Sequence, residues 1–224
     1  MDHHDLSASI QDYAKEIYAL RARDGHVRTS MLAERLGVSA PSVSEMIRTL
    51  VERGLVSYQP YHGVTLTPEG VRVALGVIRH HRLLELFLAE MLGVPWDRVH
   101  EEAEVLEHAI SEELEGRIAA ALGDPSRDPH GHPIPTAEGL IDEPVETSLI
   151  DLEPGEAGIL SQVSDADPAV LRFLVRSGIR IGDRLELVAK RSPDGALVIR
   201  VHKQEHVLRR PIAAAMRVLV EVEP

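Results

Sequence analysis

The chain has 224 residues, of which 44% are hydrophobic and 27% charged, a composition typical of a soluble globular protein. This excludes disordered, collagen-like and membrane-spanning classes, and the absence of cysteine excludes disulfides, cysteine nucleophiles and thiolate metal sites. The N-terminus has no signal-peptide pattern and no stretch approaches about 18 apolar residues, so we expect a cytoplasmic protein without a membrane span.

The net charge of −12 is distributed unevenly along the chain. Residues 1–75 hold 8 basic and 9 acidic side chains, residues 76–146 hold 5 and 16, and residues 147–224 hold 11 of each. An acidic chain repels nucleic acid on average, but the first third is close to neutral. The middle third is therefore either a cation-binding region or a very acidic surface.

Residues 1–72 are predicted to form a winged helix-turn-helix domain. The apolar spacing and the Gly and Pro positions predict three helices, then two short strands, at about 9–23, 29–36, 40–53, 55–58 and 63–67. Pro68 is predicted to begin the next helix. His62, in the turn of the wing, is a candidate for a contact with a DNA phosphate.

A polar stretch at the start of the third predicted helix is the candidate for DNA contact. Residues 39–45 read SAPSVSE, and small hydroxyl side chains there can approach phosphates and base edges in a major groove. Val43, Ile47 and Leu50 fall on the opposite side of the helix, which we expect to be buried. A plainer interpretation is that a serine in this stretch only caps the helix.

Residues 73–146 are predicted to form a helical domain, with helices near 71–92 and 97–122 and a Pro-, Gly- and Asp-rich loop from 124 to 148. On the second helix, four potential metal ligands share one face within an arc of about 100°. They are His100, Glu104, Glu107 and His108. On the preceding helix, His81 and Glu85 lie one turn apart.

Two antiparallel helices that present imidazoles and carboxylates to each other form a divalent-metal site in helical proteins. Each half taken alone is more often a solvated acidic face or a surface hydrogen bond. Their combination with a winged helix favours the metal interpretation. Six other histidines are interpreted mainly as surface residues, namely His3, His4, His130, His132, His202 and His206.

Residues 147–224 are predicted to form a small β-barrel-like domain. Strands are predicted at 185–188 and 197–201 around a hairpin turn at 192–195, with a closing strand at 218–222. One helix is predicted near 169–176. The predicted fold class is therefore mainly α with a C-terminal β domain.

The succession of motifs resembles the diphtheria toxin repressor and manganese transport regulator family. It runs through DY and IY in the first helix, LGVSAPSVSEMIRTLVERGLV, YHGVTLTPEG, HHRLLELFL, VHEEAEVLEH and DPHGHPIP. The resemblance covers essentially the whole chain. It implies an N-terminal DNA-binding domain, a helical metal-binding and dimerisation domain, and a C-terminal SH3-like (FeoA-like) domain.

The resemblance also implies which residues bind metal and DNA. A primary metal site would use Asp12, Glu104, Glu107 and His108. An ancillary site would use His81, Glu85 and His100, with Gln162 and Asp165 as candidates from the SH3-like domain. The DNA-facing positions would be Ser39, Pro41, Ser42 and Glu45.

The same matches favour Mn(II) as the metal, with Fe(II) as the alternative. Iron-type members place Met and Cys where this chain has Asp12 and Glu104, and hard oxygen ligands suit Mn(II). Manganese-type members carry a glutamate at the position of Lys15, so a closely spaced two-metal cluster is not expected. They also usually lack the third domain, so the chain combines manganese-like ligands with iron-type architecture.

We therefore predict a metal-dependent transcriptional repressor of metal-uptake genes, which binds a pseudo-palindromic double-stranded operator as a homodimer and is not an enzyme. One alternative is a winged-helix regulator that senses an organic ligand independently of metal. Another is a metallohydrolase that uses the same His/Glu cluster, although the sequence contains neither HExxH nor GxSxG.

Overall fold

The computed structural model describes residues 6–59, 63–142, 144–191 and 195–221. His3, His4, His62 and most of the predicted hairpin turn at 192–195 lie outside these residues. The chain divides into two compact units. The first comprises residues 1–84, 103–124 and 134–141, and the second comprises residues 85–102, 125–133 and 142–224.

The first unit begins with the predicted three helices and two-stranded hairpin. These are α1 (Ala8–Asp24), α2 (Thr29–Leu36), α3 (Ala40–Glu52), β1 (Val56–Gln59) and β2 (Gly63–Leu66). Gly25 and Gly37 end α1 and α2 in the left-handed conformation, which glycine adopts without a steric penalty. The Ser39 side chain caps α3 by accepting a hydrogen bond from the Ser42 backbone N–H. Local signals in the sequence therefore set these boundaries.

The antiparallel hairpin of β1 and β2 is attached to the segment before α2 through Gly63 and Val64. The Val64 N–H donates to the Val27 carbonyl at 2.9 Å. A Cβ added at Gly63 would lie 2.2 Å from that carbonyl oxygen, and φ at this position is +85°. Only glycine therefore permits this close approach of the wing to the helices.

Apolar side chains of α1, α2, α3 and the hairpin form one core with the start of the next helix. Its fully buried members include Ala14, Ile17, Leu32, Val43 and Leu50. The burial of Val43, Ile47 and Leu50 confirms the predicted inner face of α3. The opposite face of α3 is left to solvent.

A long helix, α4 (Pro68–Leu92), follows the wing and begins at the predicted proline. The predicted single helix over 97–122 is wrong, because the structure has α5 (Val99–Leu106) and α6 (Glu112–Ala121) with a turn between them. Ser111 caps α6 by accepting from the Leu114 N–H, and Glu112, Glu113 and Glu115 occupy its first turn. A capping serine followed by acidic residues favours a new helix start over continuation of the old one.

The break between α5 and α6 changes the predicted ligand face. Glu107 and His108 lie in the turn after α5 and not on a continuous helix with His100. Leu106 and Leu114, which a single helix over 97–122 would place on an apolar stripe beside these ligands, are exposed. A helical wheel drawn through 97–122 therefore gives wrong directions beyond Leu106.

The second unit contains a six-stranded antiparallel sheet with strand order β3-β8-β4-β5-β6-β7. The strands are β3 (Thr147–Ser148), β4 (Ala157–Val163), β5 (Arg184–Lys190), β6 (Leu197–Val201), β7 (Gln204–Leu208) and β8 (Met216–Val220). Two helices, α7 (Pro168–Ser177) and α8 (Arg210–Ala214), pack with it around a core that includes Leu160, Leu174 and Leu185. The predicted fold class, mainly α with a C-terminal β domain, is confirmed.

The Pro-rich loop after α6 is irregular, as predicted, but part of it is buried in the second unit. The His130 carbonyl accepts from the Val163 N–H of β4 at 2.9 Å. A Cβ added at Gly131, where φ is +88°, would lie 2.0 Å from the Ser161 carbonyl oxygen. His130 is fully buried and His132 is half-buried, so their interpretation as surface residues is wrong.

Candidate metal centre

The first unit brings α1 and the turn after α5 together at three predicted ligands. Asp12, Glu107 and His108 each offer one ligand atom, all within 4.8 Å of one another. His108 Nε2 lies 2.9 Å from Asp12 Oδ1 and 3.4 Å from Glu107 Oε1. Two carboxylates and an imidazole therefore converge from distant parts of the sequence.

Glu104 and His81 extend this cluster on the other side of Glu107. His81 Nδ1 lies 2.5 Å from Glu107 Oε2 and 3.8 Å from Glu104 Oε1. The assignment of His81 to the ancillary site with Glu85 and His100 stays a prediction. We define the first cluster as Asp12, His81, Glu104, Glu107 and His108.

Lys15 is the fixed cation of the first cluster. Its Nζ lies 2.5 Å from Glu107 Oε1 and 2.8 Å from Glu104 Oε1. Burial lowers the pKa of Lys15, but the charges of Glu107 and Glu104 outweigh it and leave the pKa above its ordinary value. Lys15 is therefore an ammonium ion, and it donates to oxygens that a metal would also use.

The same contacts set the charge of Glu107 and His108. Burial favours the neutral form of Glu107, but the hydrogen bond from His81 and the charge of Lys15 hold its pKa below the ordinary value. The hydrogen bond to Asp12 raises the pKa of His108, although burial opposes it. The contacts within the cluster thus favour the ionised form of Glu107 and the protonated form of His108.

Gln11 is a supporting residue that the sequence analysis missed. Its Nε2 donates to the Leu6 carbonyl at 3.0 Å, and its Oε1 accepts from His108 Nδ1 at 2.7 Å. This leaves His108 Nε2 aimed at Asp12. A second hydrogen bond of this kind orients a metal-binding imidazole and selects its tautomer. The only sequence signal is the position of Gln11 next to Asp12.

The second unit holds a separate cluster around Glu85. His100 Nδ1 lies 3.3 Å from Glu85 Oε1 and 3.3 Å from Asp165 Oδ2. The three ligand atoms that these residues offer lie within 4.8 Å of one another. Gln162 lies in β4 opposite Arg217 of β8 and stays a prediction as a ligand. We define the second cluster as Glu85, His100, His130 and Asp165.

His130 joins the second cluster through a buried contact. Its Nδ1 lies 3.5 Å from Glu85 Oε2, and both side chains are fully buried. The ring stacks on Trp96 at 5.4 Å between centroids, and Nε2 contacts the Trp96 carbonyl at 3.1 Å. Asp128 supports the loop by accepting from the His130 and His132 N–H groups. In the sequence, the two histidines of the DPHGHP stretch were the signal that could have identified His130 as a candidate ligand.

Hydrogen bonding within the second cluster also fixes its charges. The hydrogen bond to Asp165, together with that to Glu85, raises the pKa of His100 from 6.5 to about 10. Burial would raise the pKa of Asp165, but the hydrogen bond from His100 lowers it well below its ordinary value. His100 is therefore an imidazolium in the metal-free protein.

Both clusters have the donor chemistry of a divalent-metal site. Their potential ligands are carboxylate oxygens and imidazole nitrogens, and the chain contains no cysteine to supply a thiolate. Mn(II) and Fe(II) are better suited by such oxygen-rich ligand sets than by soft sulfur ligands. The buried carboxylates Glu85 and Glu107 would also gain from a positive charge placed between the ligands.

The predicted DNA-facing residues all lie on the exposed side of α3. Ser39, Pro41, Ser42 and Glu45 are exposed, and Ser39 Oγ lies 2.8 Å from Ser42 Oγ. Ser39 therefore caps the helix, as the plainer interpretation stated, and is also accessible. Arg48, which sequence reasoning missed, lies one turn beyond Glu45 and is exposed. In the sequence, its helical spacing from Pro41 and Glu45 was the signal that could have placed Arg48 on the DNA-facing side.

Among the described residues, no helix is both long enough and apolar enough to cross a lipid bilayer.

Three family models match the chain in order. Residues 5–64 match "Iron dependent repressor, N-terminal DNA binding domain", and residues 67–136 match "Iron dependent repressor, metal binding and dimerisation domain". Residues 147–220 match "FeoA domain".

Full-length relatives and solved structures agree with these matches. The diphtheria toxin repressor of Corynebacterium efficiens is 32% identical, over 96% of this chain and 96% of the relative. A structure described as a manganese-dependent transcriptional repressor in complex with manganese is 44% identical. It covers 95% of this chain and 100% of its own, with a TM-score of 0.88. The structure of ScaR with bound Cd2+ is 31% identical, covers 94% and 98% of the two chains, and has a TM-score of 0.81.

The family predicted from the sequence motifs is confirmed by these similarities, which extend over nearly the entire length of the chain. The chain belongs to the diphtheria toxin repressor family of metal-dependent transcriptional repressors.

Proposed function

We propose that this protein is a DNA-binding repressor for which Mn(II) is the corepressor, and that it controls metal-uptake genes in the cytoplasm. The observation that carries the proposal is the approach of Asp12 on α1 to His108, at 2.9 Å, beside the buried Glu107. A metal held here would tie the first helix of the winged-helix segment to the turn after α5. We propose no catalytic activity for this protein.

The corepressor effect follows from the charges of the first cluster. Asp12, Glu104 and Glu107 are three carboxylates, and the Lys15 ammonium contacts only Glu104 and Glu107, so the mutual repulsion of the three is only partly offset before metal binds. A divalent ion removes that repulsion and selects the arrangement in which α1 is held against the turn. The bound metal supplies positive charge and fixed coordination geometry, while the protein supplies the ligands and their orientation.

We infer that the first cluster binds metal through Asp12, Glu104, Glu107 and His108, with His81 beside them. The second cluster binds through Glu85, His100 and Asp165, with His130 as an added ligand. The ligand chemistry supports Mn(II), and Fe(II) is the alternative because it accepts the same oxygen and nitrogen donors. The proposed domain boundaries are 1–72, 73–146 and 147–224.

DNA recognition is proposed to use α3 in a major groove, with Ser39, Pro41, Ser42 and Glu45 facing the operator. A homodimer would place two copies of α3 on a pseudo-palindromic site, since half-site symmetry mirrors protein symmetry. Metal binding then raises operator affinity by favouring the DNA-competent arrangement of both protomers.

Operator binding measured in Mn(II) and in EDTA tests this function. The operator is first selected from random double-stranded DNA with the Mn(II)-loaded protein. We expect tight binding in Mn(II) and weak binding in EDTA, and Glu104→Ala should lose the metal response while remaining a folded dimer. Equal operator affinity in Mn(II) and in EDTA would contradict the corepressor proposal. A Glu104→Ala variant that still responds to Mn(II) would remove Glu104 from the ligand set.

A further inference from the structure

Lys15 occupies the space between two carboxylates of the first cluster. We propose that Lys15 is a resident cation that competes with divalent metal for Glu104 and Glu107, thereby limiting the cluster to one metal ion and setting its affinity. This inference rests on the proposed metal-binding function of the cluster. It assigns Lys15 a role in setting the metal concentration at which the first cluster becomes occupied.

The position of Lys15 follows from the helix that carries it. Lys15 lies three residues after Asp12 on α1, so both side chains leave the same side of the helix. Its Nζ contacts both Glu104 Oε1 and Glu107 Oε1. The Glu107 side chain is fully buried and that of Lys15 is only 13% exposed, so the pair is poorly screened by water.

An ammonium group and a metal ion place opposite demands on these oxygens. Lysine carries three N–H donors and no lone pair when charged, so it cannot serve as a ligand. It nevertheless satisfies Glu104 and Glu107 electrostatically when no metal is bound. A divalent ion that takes the same oxygens must displace the ammonium or bind beside its charge, and either event weakens metal binding.

The same geometry excludes a second ion that bridges Glu104 and Glu107. Such a bridge requires the space between these carboxylates, which Lys15 Nζ already fills at hydrogen-bonding distance from both. One metal ion bound on the Asp12 and His108 side remains compatible with Lys15. The charged ammonium group of Lys15, placed between the two carboxylates, is therefore the feature that sets metal stoichiometry.

A charge series at this position tests the inference. Lys15→Met removes the charge at similar length, and Lys15→Arg keeps the charge as the matched control. Mn(II) binding is measured by calorimetry in the wild-type protein and in each Lys15 variant. Each measurement is repeated with the additional substitution His100→Gln, which removes a ligand of the second cluster. We expect Lys15→Met to bind Mn(II) at the first cluster at least about tenfold more tightly, and Lys15→Arg to remain close to wild type.

A second readout does not depend on bound metal. The metal-free Lys15→Met protein should unfold at a lower temperature than wild type, because Glu107 loses a buried counter-ion. Mn(II) should reverse this difference. Lys15→Gln provides a second neutral side chain if Lys15→Met does not fold.

Three results separate the possible failures. If wild type binds Mn(II) and the neutral variants bind it no more tightly, the role of Lys15 is overturned while the proposed function stands. Two Mn(II) ions in the first cluster of wild type, detected by magnetic coupling in electron paramagnetic resonance, would also overturn it. Absence of Mn(II) binding in wild type and in every variant would overturn the proposed function, and the inference with it.

Discussion

His108 Nε2 lies 2.9 Å from Asp12 Oδ1, which joins the turn after α5 to the first helix of the winged-helix segment. The other ring nitrogen contacts Gln11 Oε1 at 2.7 Å. Both partners are acceptors, so in the metal-free protein the imidazole donates through both N–H groups. Loss of the Nε2 proton would turn the same atom into a metal ligand without any rotation of the ring.

Gln11→Leu is therefore expected to weaken Mn(II) binding at the first cluster by roughly 10–100-fold, because His108 loses the partner that orients its ring. Calorimetric Mn(II) titration measures the effect, and circular dichroism checks that the variant folds. Gln11→Glu keeps an acceptor at the same position and should lose much less affinity. Unchanged affinity in Gln11→Leu would show that His108 needs no such support.

Metal binding to the second cluster is expected to release a proton from His100 at pH 7. Its pKa is raised to about 10 by Asp165 and Glu85, whereas a metal requires the neutral imidazole. Affinity at this cluster should therefore rise with pH until the pH exceeds the pKa of His100. Calorimetry in two buffers of different ionisation enthalpy counts the released protons. The His100→Gln variant should lose this contribution, and an identical proton count in both proteins would contradict the assignment.

Arg48→Ala is expected to weaken operator binding and to reduce the slope of log affinity against log salt by about 1. The reason is that Arg48 is exposed on the same side of α3 as Pro41 and Glu45, where it can meet a phosphate. Arg176→Ala, on α7 of the second unit, removes an equal charge from another exposed helix and serves as the control. Equal effects of the two substitutions would argue against a DNA contact by Arg48.

Gly131→Ala is expected to destabilise the second unit by roughly 1–3 kcal/mol, because its φ is +88° and a Cβ would meet the Ser161 carbonyl oxygen at 2.0 Å. Thermal unfolding and Mn(II) titration should both show a loss, since the same loop carries His130. Gly155→Ala is a matched control, because φ there is +97° but a Cβ meets nothing within 4 Å. If both variants lose equal stability, backbone strain alone accounts for the change.

Several features of this protein follow from the sequence because their causes are local. Helix ends at Gly25 and Gly37, the Ser39 cap and the buried face of α3 depend on residues within one or two turns. Glu107 and His108 were candidate ligands from their residue types and spacing, whereas Asp12 was implied only by the family resemblance.

Other features depended on contacts between distant segments. The end of α5 at Leu106 places Glu107 in a turn and not on one continuous helix with His100, although their spacing suits a single helix face. His130 reads as a loop residue, yet its contact with Trp96 and the close approach at Gly131 bury it beside Glu85. Periodicity describes one element at a time, whereas burial and ion pairing arise only when elements pack. For the same reason, the pairing of Lys15 with Glu107 was decided by the tertiary structure and not by either residue's place in the sequence.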